Sequence, residues 1–540
     1  MREDRTADLR AWISDLDFRA SCSVVQPRIV ALLCLLSLFS LLSCATRPDP
    51  NTLVMIIESS PTNLDPRVGI DAQSERIDNL IFDDLLSRGE DLNVAPGLAE
   101  RWEIPDPLTY VFHLHRGVKF HDGRALTSRD VKWTFDSLLQ GRIRSTKAAV
   151  YRFVDHIDAP DDATVVFHMK EQDATLLWNL SDGAIGIVPE GSGEEMSRHP
   201  IGSGPFQFVS AETDRDVRVE RNDEYWGERA KLARVRFAVV PDATTQALEL
   251  RKGSGDVAIN SLTPDTVFTL DKDPNLLVER AAGTRLAYLG FNLRDPILKD
   301  ARVRQAIAYA LDRSPMIEYL WRGQAQPARS VLPTQSWAYN GGVPSYDHNI
   351  AKANQLLDAA GWKMGPDGVR AKNGVRLDLN FVTATGTVIN DQVIELLRQT
   401  WKQIGVSLSV THYLNTLLFA QYQDGGILYR GKYDVAYYAW GEDAIGDLSP
   451  IYSCAQIPPN GQNSLHWCNQ RAEKAMLAFY THYDQAQRNA DDAIVMQELD
   501  KDVPTIVMMG TEALWVYNSD LKNFSPGSLS PFDNFLDVDI

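Results

Sequence analysis

Apolar residues in this chain change their spacing repeatedly, from the short runs of strands to the three-and-four steps of helices. Leu53-Val-Met-Ile-Ile57, Tyr110-Val-Phe-His-Leu-His115 and Thr164-Val-Val-Phe-His168 read as strands. Between them Thr127-Ser-Arg-Asp130 has the form of a capping box, and Val131, Phe135, Leu138 and Leu139 then fall on one helical face. Asp300 to Arg313 repeats the pattern with Val303, Ile307, Ala310 and Leu311. A third helix opens near Asp347, carries Ile350, Ala353 and Leu357, and stops at Gly361, where a left-handed residue is wanted. Strands alternating with helices of this length predict α/β lobes. At 540 residues the chain is too long for one core, so two or three lobes are expected.

Composition narrows the class. With 44% hydrophobic and 23% charged residues the chain is neither disordered nor a polytopic membrane protein. Its net charge of −18 opposes nucleic-acid phosphates, so no nucleic-acid partner is expected. No fixed-period repeat or long charge run is visible.

The first 44 residues concern address. The apolar run Ile29–Leu42 is shorter than the ~20 residues a spanning helix needs and reads as the core of a secretory signal. Leu41-Leu42-Ser43-Cys44 behind it looks like a bacterial lipobox, which makes residues 1–43 a signal peptide, Cys44 a lipidated anchor and 44–50 a tether. The segment before the run carries acids as well as bases, so translation is expected to start downstream of Met1. Cys22 and Cys34 fall in that leader, leaving Cys454 and Cys468. In an exported chain such a pair suggests a disulfide closing a turn-rich loop; a metal set adding His466 is the weaker reading.

Catalytic and cofactor signals are sparse. No G-x-G-x-x-G follows a strand, no phosphate-binding loop is present, and the Gly-Ser-Gly triplets lack nucleophile-elbow spacing. His113, His115 and His121 are the best metal candidate, yet a half-exposed strand accounts for the first two, and no metal or cofactor is assigned. Asp83-Asp84, Asp161-Asp162 and Asp491-Asp492 read as solvated turn or helix acids.

Several separate segments carry a family resemblance. They are Asn63-Leu-Asp-Pro66; Pro96-Gly-Leu-Ala-Glu-Arg-Trp102; Phe120-His-Asp-Gly123 followed by Leu126–Phe135; Pro200-Ile-Gly-Ser-Gly-Pro-Phe206; Arg221-Asn-Asp-Glu-Tyr-Trp-Gly227; Asp300–Arg313; Ala359-Ala-Gly-Trp362; and Tyr433-Asp-Val-Ala-Tyr-Tyr-Ala-Trp440. In this order, over residues 51 to 520, the chain resembles the extracytoplasmic solute-binding proteins of family 5, the peptide, oligopeptide and nickel receptors of ABC importers.

The resemblance implies an α/β, class II periplasmic-binding-protein fold: two lobes joined by hinge strands, plus an inserted third subdomain. It places lobe I at 51–88, 201–285 and 512–540, the insert at 89–200 and lobe II at 286–511, with Tyr288–Asn292 and Pro504–Met509 near the crossings. It implies a binding protein rather than an enzyme. A short peptide would be enclosed on closure and passed to permease and ATPase subunits, by a monomer tethered outside the cytoplasm through Cys44. Matching the family's Trp-x-x-Asp segment puts a peptide α-amine on Asp443, beside Ala439, Trp440 and Gly441, while Asp71-Ala72-Gln73 would approach from the other lobe. Where the family commonly has an aromatic and then Asp-Pro or Glu-Pro, this chain has Ala444-Ile-Gly-Asp447-Leu448, so that pocket wall differs. An oligosaccharide or metal chelate is the alternative ligand; an extracytoplasmic hydrolase and a tethered sensor or chaperone are the alternatives of other classes.

Overall fold

Three large sheets carry most of the described strands, and the order of their strands shows how often the chain passes between them. The computed structural model describes residues 51–540 apart from 90–92, 182–184, 260, 340–345, 386–387, 442–444 and 527–533. The first sheet runs Leu276–Ala281, Ala513–Asn518, Val257–Ile259, Thr52–Ile57, Arg234–Val239, Asp216–Arg221 and Phe206–Glu212. Thr52–Ile57 lies parallel to both of its neighbours. Leu53, Met55 and Ile57 enter one core and Ile56 the core on the opposite face, which is why the strand is a continuous apolar run rather than an alternating one.

The second sheet runs Ala325–Pro327, Thr505–Thr511, Arg285–Phe291, Val435–Gly441, Asp378–Ala384 and Ser407–Tyr413. The helix Ala301–Ala310, capped by Asp300, covers it with Val303, Ala306, Ile307 and Ala310. The expected third helix is Ile350–Ala359, capped by Asn349, and Gly361 behind it takes φ +87°.

The third sheet runs Ala99–Asp106, Thr109–Leu114, Thr164–Met169 and Val154–Asp161, so the strands expected near 110 and 164 are neighbours. Helix Ser128–Leu139 packs on it through Phe135, edge-on to Phe167 at 5.2 Å. The capping residues act as expected: the Thr127 backbone N–H donates to Asp130 Oδ2 at 2.7 Å.

The chain passes between the first two sheets at residues 282–284 and again at Glu512. Tyr288–Asn292 lies deeper in the second sheet than expected, with Leu289 and Phe291 fully buried. Arg285 already pairs with Gly441 in that sheet, and Leu85 and Leu86 pack in the core of the third, ahead of the expected boundary at 89.

The acid pairs divide. Asp161 and Asp162 are exposed, as expected, but Asp491 and Asp492 are 8% and 2% exposed on the helix Gln485–Asp502. Asp491 accepts from His482 Nδ1 at 2.7 Å. Asp83 is likewise no solvated acid, as its partners below show. Cys454 and Cys468 are joined, and the loop between them is also organised by Asn463, whose Nδ2 donates to Ser453 and Trp467 carbonyls at 2.9 and 2.8 Å. Buried Leu465 and Trp467 pin it to the core, so the loop has more than its bridge to hold it.

Candidate ligand-binding cleft

The two passages between the first and second sheets lie side by side. Gly283 sits so close to the Thr511 carbonyl that a Cβ there would overlap its oxygen, and the Ala513 backbone nitrogen would be 3.0 Å away. Only glycine permits this approach. Beside the passages, the Gln335 side chain donates to the Ala282 carbonyl, and Gln324 Nε2 donates to Pro264 O at 3.0 Å.

Val435–Gly441 runs antiparallel to Arg285–Phe291, pairing Gly441 with Arg285, Trp440 with Leu286 and Ala439 with Ala287. This register carries Ala439, Trp440 and Gly441 to the passage end of the second sheet. An aromatic wall continues from them. Tyr438 stacks on Tyr288 at 5.8 Å, and Phe419 meets Tyr438 at 6.2 Å and Trp440 at 6.4 Å. Trp440 and Tyr438 are only partly buried, which leaves ring surface available. Asp443 lies outside the described residues.

Ala72 and Gln73 open the helix Ala72–Ile81 on the first-sheet side. Their position is set by Asp71, whose carboxylate accepts from the Gln73 and Ser74 backbone at 3.2 and 3.0 Å and from the Ser74 and Thr62 hydroxyls at 2.5 Å each. Burial alone would raise this carboxyl; the hydroxyl and amide donors hold it below its ordinary value. Asp71 is therefore a structural clamp. Ala72 is exposed, whereas Gln73 is buried and its carboxamide oxygen accepts from Arg76 Nη1 at 3.0 Å. Of the residues expected at the site, Ala439, Trp440 and Gly441 come together on one strand, whereas Ala72 and Gln73 stand at the start of a separate helix.

Several of the segments that carry the resemblance build a buried scaffold. Asp83 accepts from Ser203 Oγ at 2.8 Å, Tyr225 OH at 2.9 Å and Trp226 Nε1 at 2.9 Å, joining the Gly-Ser-Gly and Tyr-Trp segments. Burial raises the Asp83 carboxyl, against the pull of those donors. Gly202 and Gly204 press against the Ile81 backbone, and His121 contributes a contact of 3.0 Å to Gly204 O. Burial lowers the His121 imidazole, so it is held neutral. Asp65 and Arg67 form a fully buried pair at 2.7 Å, and Arg67 reaches on to Ser137 Oγ and Ser192 O. Sequence reasoning missed Asp83, because its donors lie more than a hundred residues away in the chain.

The histidine trio weighed as a metal candidate does not come together. His113 faces Glu103, His115 stacks against Trp226 at 5.1 Å, and His121 is turned to the Gly202–Gly204 backbone.

The sequence profile of the bacterial extracellular solute-binding proteins, family 5, matches residues 93–459, more than half of the chain. The chain belongs to that family. This family 5 protein is 28% identical over 458 residues to the oligopeptide-binding protein AppA of Bacillus subtilis, covering 82% of this chain and 83% of that one. It is 28% identical to heme-binding protein A of Haemophilus influenzae over 445 residues, covering 75% and 78%. The solved structure of Bacillus subtilis AppA in complex with a nonapeptide superposes with a TM-score of 0.76 at 25% identity, covering 90% of this chain and 98% of that one. The fold of this family 5 protein is thus the two-lobed solute-binding fold. No helix among the described residues is long and apolar enough to cross a membrane; Ile29–Leu42 and Cys44 lie outside them.

Proposed function

We propose that this protein is the receptor of an ABC importer, which encloses a short peptide between its lobes and delivers it to the permease. Lobe I is built on the first sheet, lobe II on the second, and the third sheet forms the insert. The observation that carries the reading is the pair of adjacent passages at Gly283 and Thr511–Ala513, the only backbone links between the first two sheets among the described residues. Two lobes linked so thinly can change their angle, and a ligand that touches both shifts the equilibrium to the closed form. The similarity to peptide-binding relatives supports a peptide as that ligand.

In this reading the Ala439–Gly441 strand end offers backbone groups to an extended peptide, and Trp440 and Tyr438 offer ring faces. Asp443 cancels the peptide α-amine, which would otherwise be buried as an unpaired charge. Ala72 and Gln73 approach from lobe I. Lipid on Cys44 holds the receptor at the membrane outside the cytoplasm, where Cys454 and Cys468 are oxidised. A second reading keeps the receptor role for an oligosaccharide or metal chelate, and the similarity to heme-binding protein A favours keeping the chelate.

The test is thermal unfolding with di- to octapeptides, oligosaccharides and metal chelates. A ligand at a hundredfold excess over Kd stabilises by about 2.7 kcal/mol. A peptide-specific rise that disappears in Asp443→Ala is expected. A rise with sugars or chelates alone would discard the peptide, and turnover of a peptide or ester would discard the receptor.

A further inference from the structure

The outer face of the four-stranded sheet brings together a donor set that the cleft does not use. His156 and His168 are paired across the antiparallel strands Val154–Asp161 and Thr164–Met169. Their rings stack at 4.3 Å with planes 13° apart. Asp158 stands two residues along from His156 on the same face, its Oδ2 at 3.3 Å from His168 Nε2 and 3.9 Å from His156 Nε2. One ligand atom from each of the three lies within 4.8 Å of the others, and this is the only such group of three among the described residues. Behind it, Asp155 Oδ2 is 2.8 Å from His156 Nδ1. A carboxylate there accepts a hydrogen bond from Nδ1–H and leaves the Nε2 lone pair facing Asp158 and His168, the arrangement that orients metal-bound histidines.

We propose that this face binds a late first-row divalent cation, of the class of Zn²⁺, Ni²⁺ or Cu²⁺. His156 Nε2, His168 Nε2 and one Asp158 oxygen are the ligands, and Asp155 is a positioning residue. Two imidazoles and one carboxylate suit these borderline ions, whereas Mg²⁺ and Ca²⁺ prefer all-oxygen sets. Zinc bonds of ~2.0–2.1 Å place tetrahedral ligand atoms ~3.3 Å apart, so the set needs only a modest contraction. All three side chains are partly or fully exposed, which leaves room for that rotation and for water in the remaining positions. The site lies on the face away from Phe167 and the helix Ser128–Leu139, so ion entry requires no opening of the core.

The register that makes this set is specific. From Asp161 opposite Thr164, an unbroken ladder would set His168 against buried Ile157 and His156 against Met169. A bulge between Asp158 and Asp161 shifts the pairing, so that His156 meets His168 and Asp158 meets Val166.

The test is calorimetric titration of Zn²⁺ and Ni²⁺ into the whole, tag-free protein and into His168→Gln, His156→Asn and Asp155→Asn. Metal binding elsewhere on the chain is common to all four. The expected result is one equivalent present in the wild type and weakened at least a hundredfold in either histidine variant. Asp155→Asn is expected to weaken it by ~10–100-fold. Unchanged thermal unfolding without metal keeps the comparison valid, and Lys in place of Asp158 provides a second disrupting variant should His156→Asn fail to fold. Equal titrations for wild type and both histidine variants, or no wild-type equivalent at millimolar metal, would overturn the proposal. Saturating the cleft with peptide or chelate is expected to leave the equivalent intact, so this result stands apart from the receptor reading.

Discussion

The first sheet is joined to its two neighbours in opposite ways. Towards the insert the junction is a buried polar knot: Asp83 holds Ser203, Tyr225 and Trp226; Arg67 ties Asp65 to Ser137 and Ser192; Lys147 Nζ reaches Pro66 O at 2.9 Å. Towards the second sheet two strand links pass side by side, flanked by the Arg322–Asp265 pair at 2.6 Å, whose side chains are 43% and 72% exposed. Buried, fully directed hydrogen bonds tolerate no change of angle, because tilting leaves a desolvated donor unpaired. An exposed ion pair is worth little and reforms in water. The same lobe is thus built rigid on one side and compliant on the other, and lobe I with its insert is expected to move as one piece. That piece touches lobe II again where Tyr110 OH lies 2.9 Å from Tyr483 OH and Trp178 meets Trp337 edge-on at 4.9 Å.

The contrast is sharpest at two glycines. In each, an added methyl overlaps a backbone carbonyl oxygen, of Ile81 at Gly202 and of Thr511 at Gly283. Gly202→Ala is expected to cost about 3 kcal/mol or more, since the knot cannot shift. Gly283→Ala is expected to cost about 1 kcal/mol, because the links can part, while moving the affinity for ligand. Equal losses by urea unfolding would erase the distinction.

Asp83→Asn is the next largest change. It turns donors toward donors and is expected to cost about 2 kcal/mol in the same assay. A loss within error would show that the knot is not polar in origin.

Tyr483→Phe acts on the far contact. Removing the hydroxyl is expected to weaken ligand binding about fivefold, about 1 kcal/mol, with ligand-free unfolding nearly unchanged. A fall in stability without a change in affinity would place that contact in the fold rather than in closure.

Asp500, in lobe II and away from both junctions, gives the smallest effect. Burial pushes its carboxyl up to about 6, above the ordinary ~3.9. The folded state holds that proton more tightly, so its contribution is full below the ordinary value and is lost as pH rises through about 6. Asp500→Asn should therefore gain stability relative to the wild type between pH 4.5 and 7.5, and a parallel pH profile would refute the shift.

Much of the fold was legible in local pattern. Thr127 with Asp130, Asp300 before Val303, and Gly361 after Leu357 are signals read within one turn of helix, and each marks a helix end in the structure. The cleft was less legible. Ala439–Gly441 and Ala72–Gln73 were placed by resemblance, and the structure sets them on a strand end and a helix start that no periodicity distinguishes from others. Asp83, Asp491 and Asp492 were misread as solvated because burial depends on what packs above a residue.

The sequence by itself determined the α/β alternation, the helix ends and the order of family segments, because periodicity and capping are short-range. Tertiary structure alone decided that Asp83 is a knot, that Gly283 must pass Thr511, and that His168 faces His156 rather than Ile157. Each depends on partners or register fixed by long-range packing, and one bulged residue in a strand reverses which side chains meet.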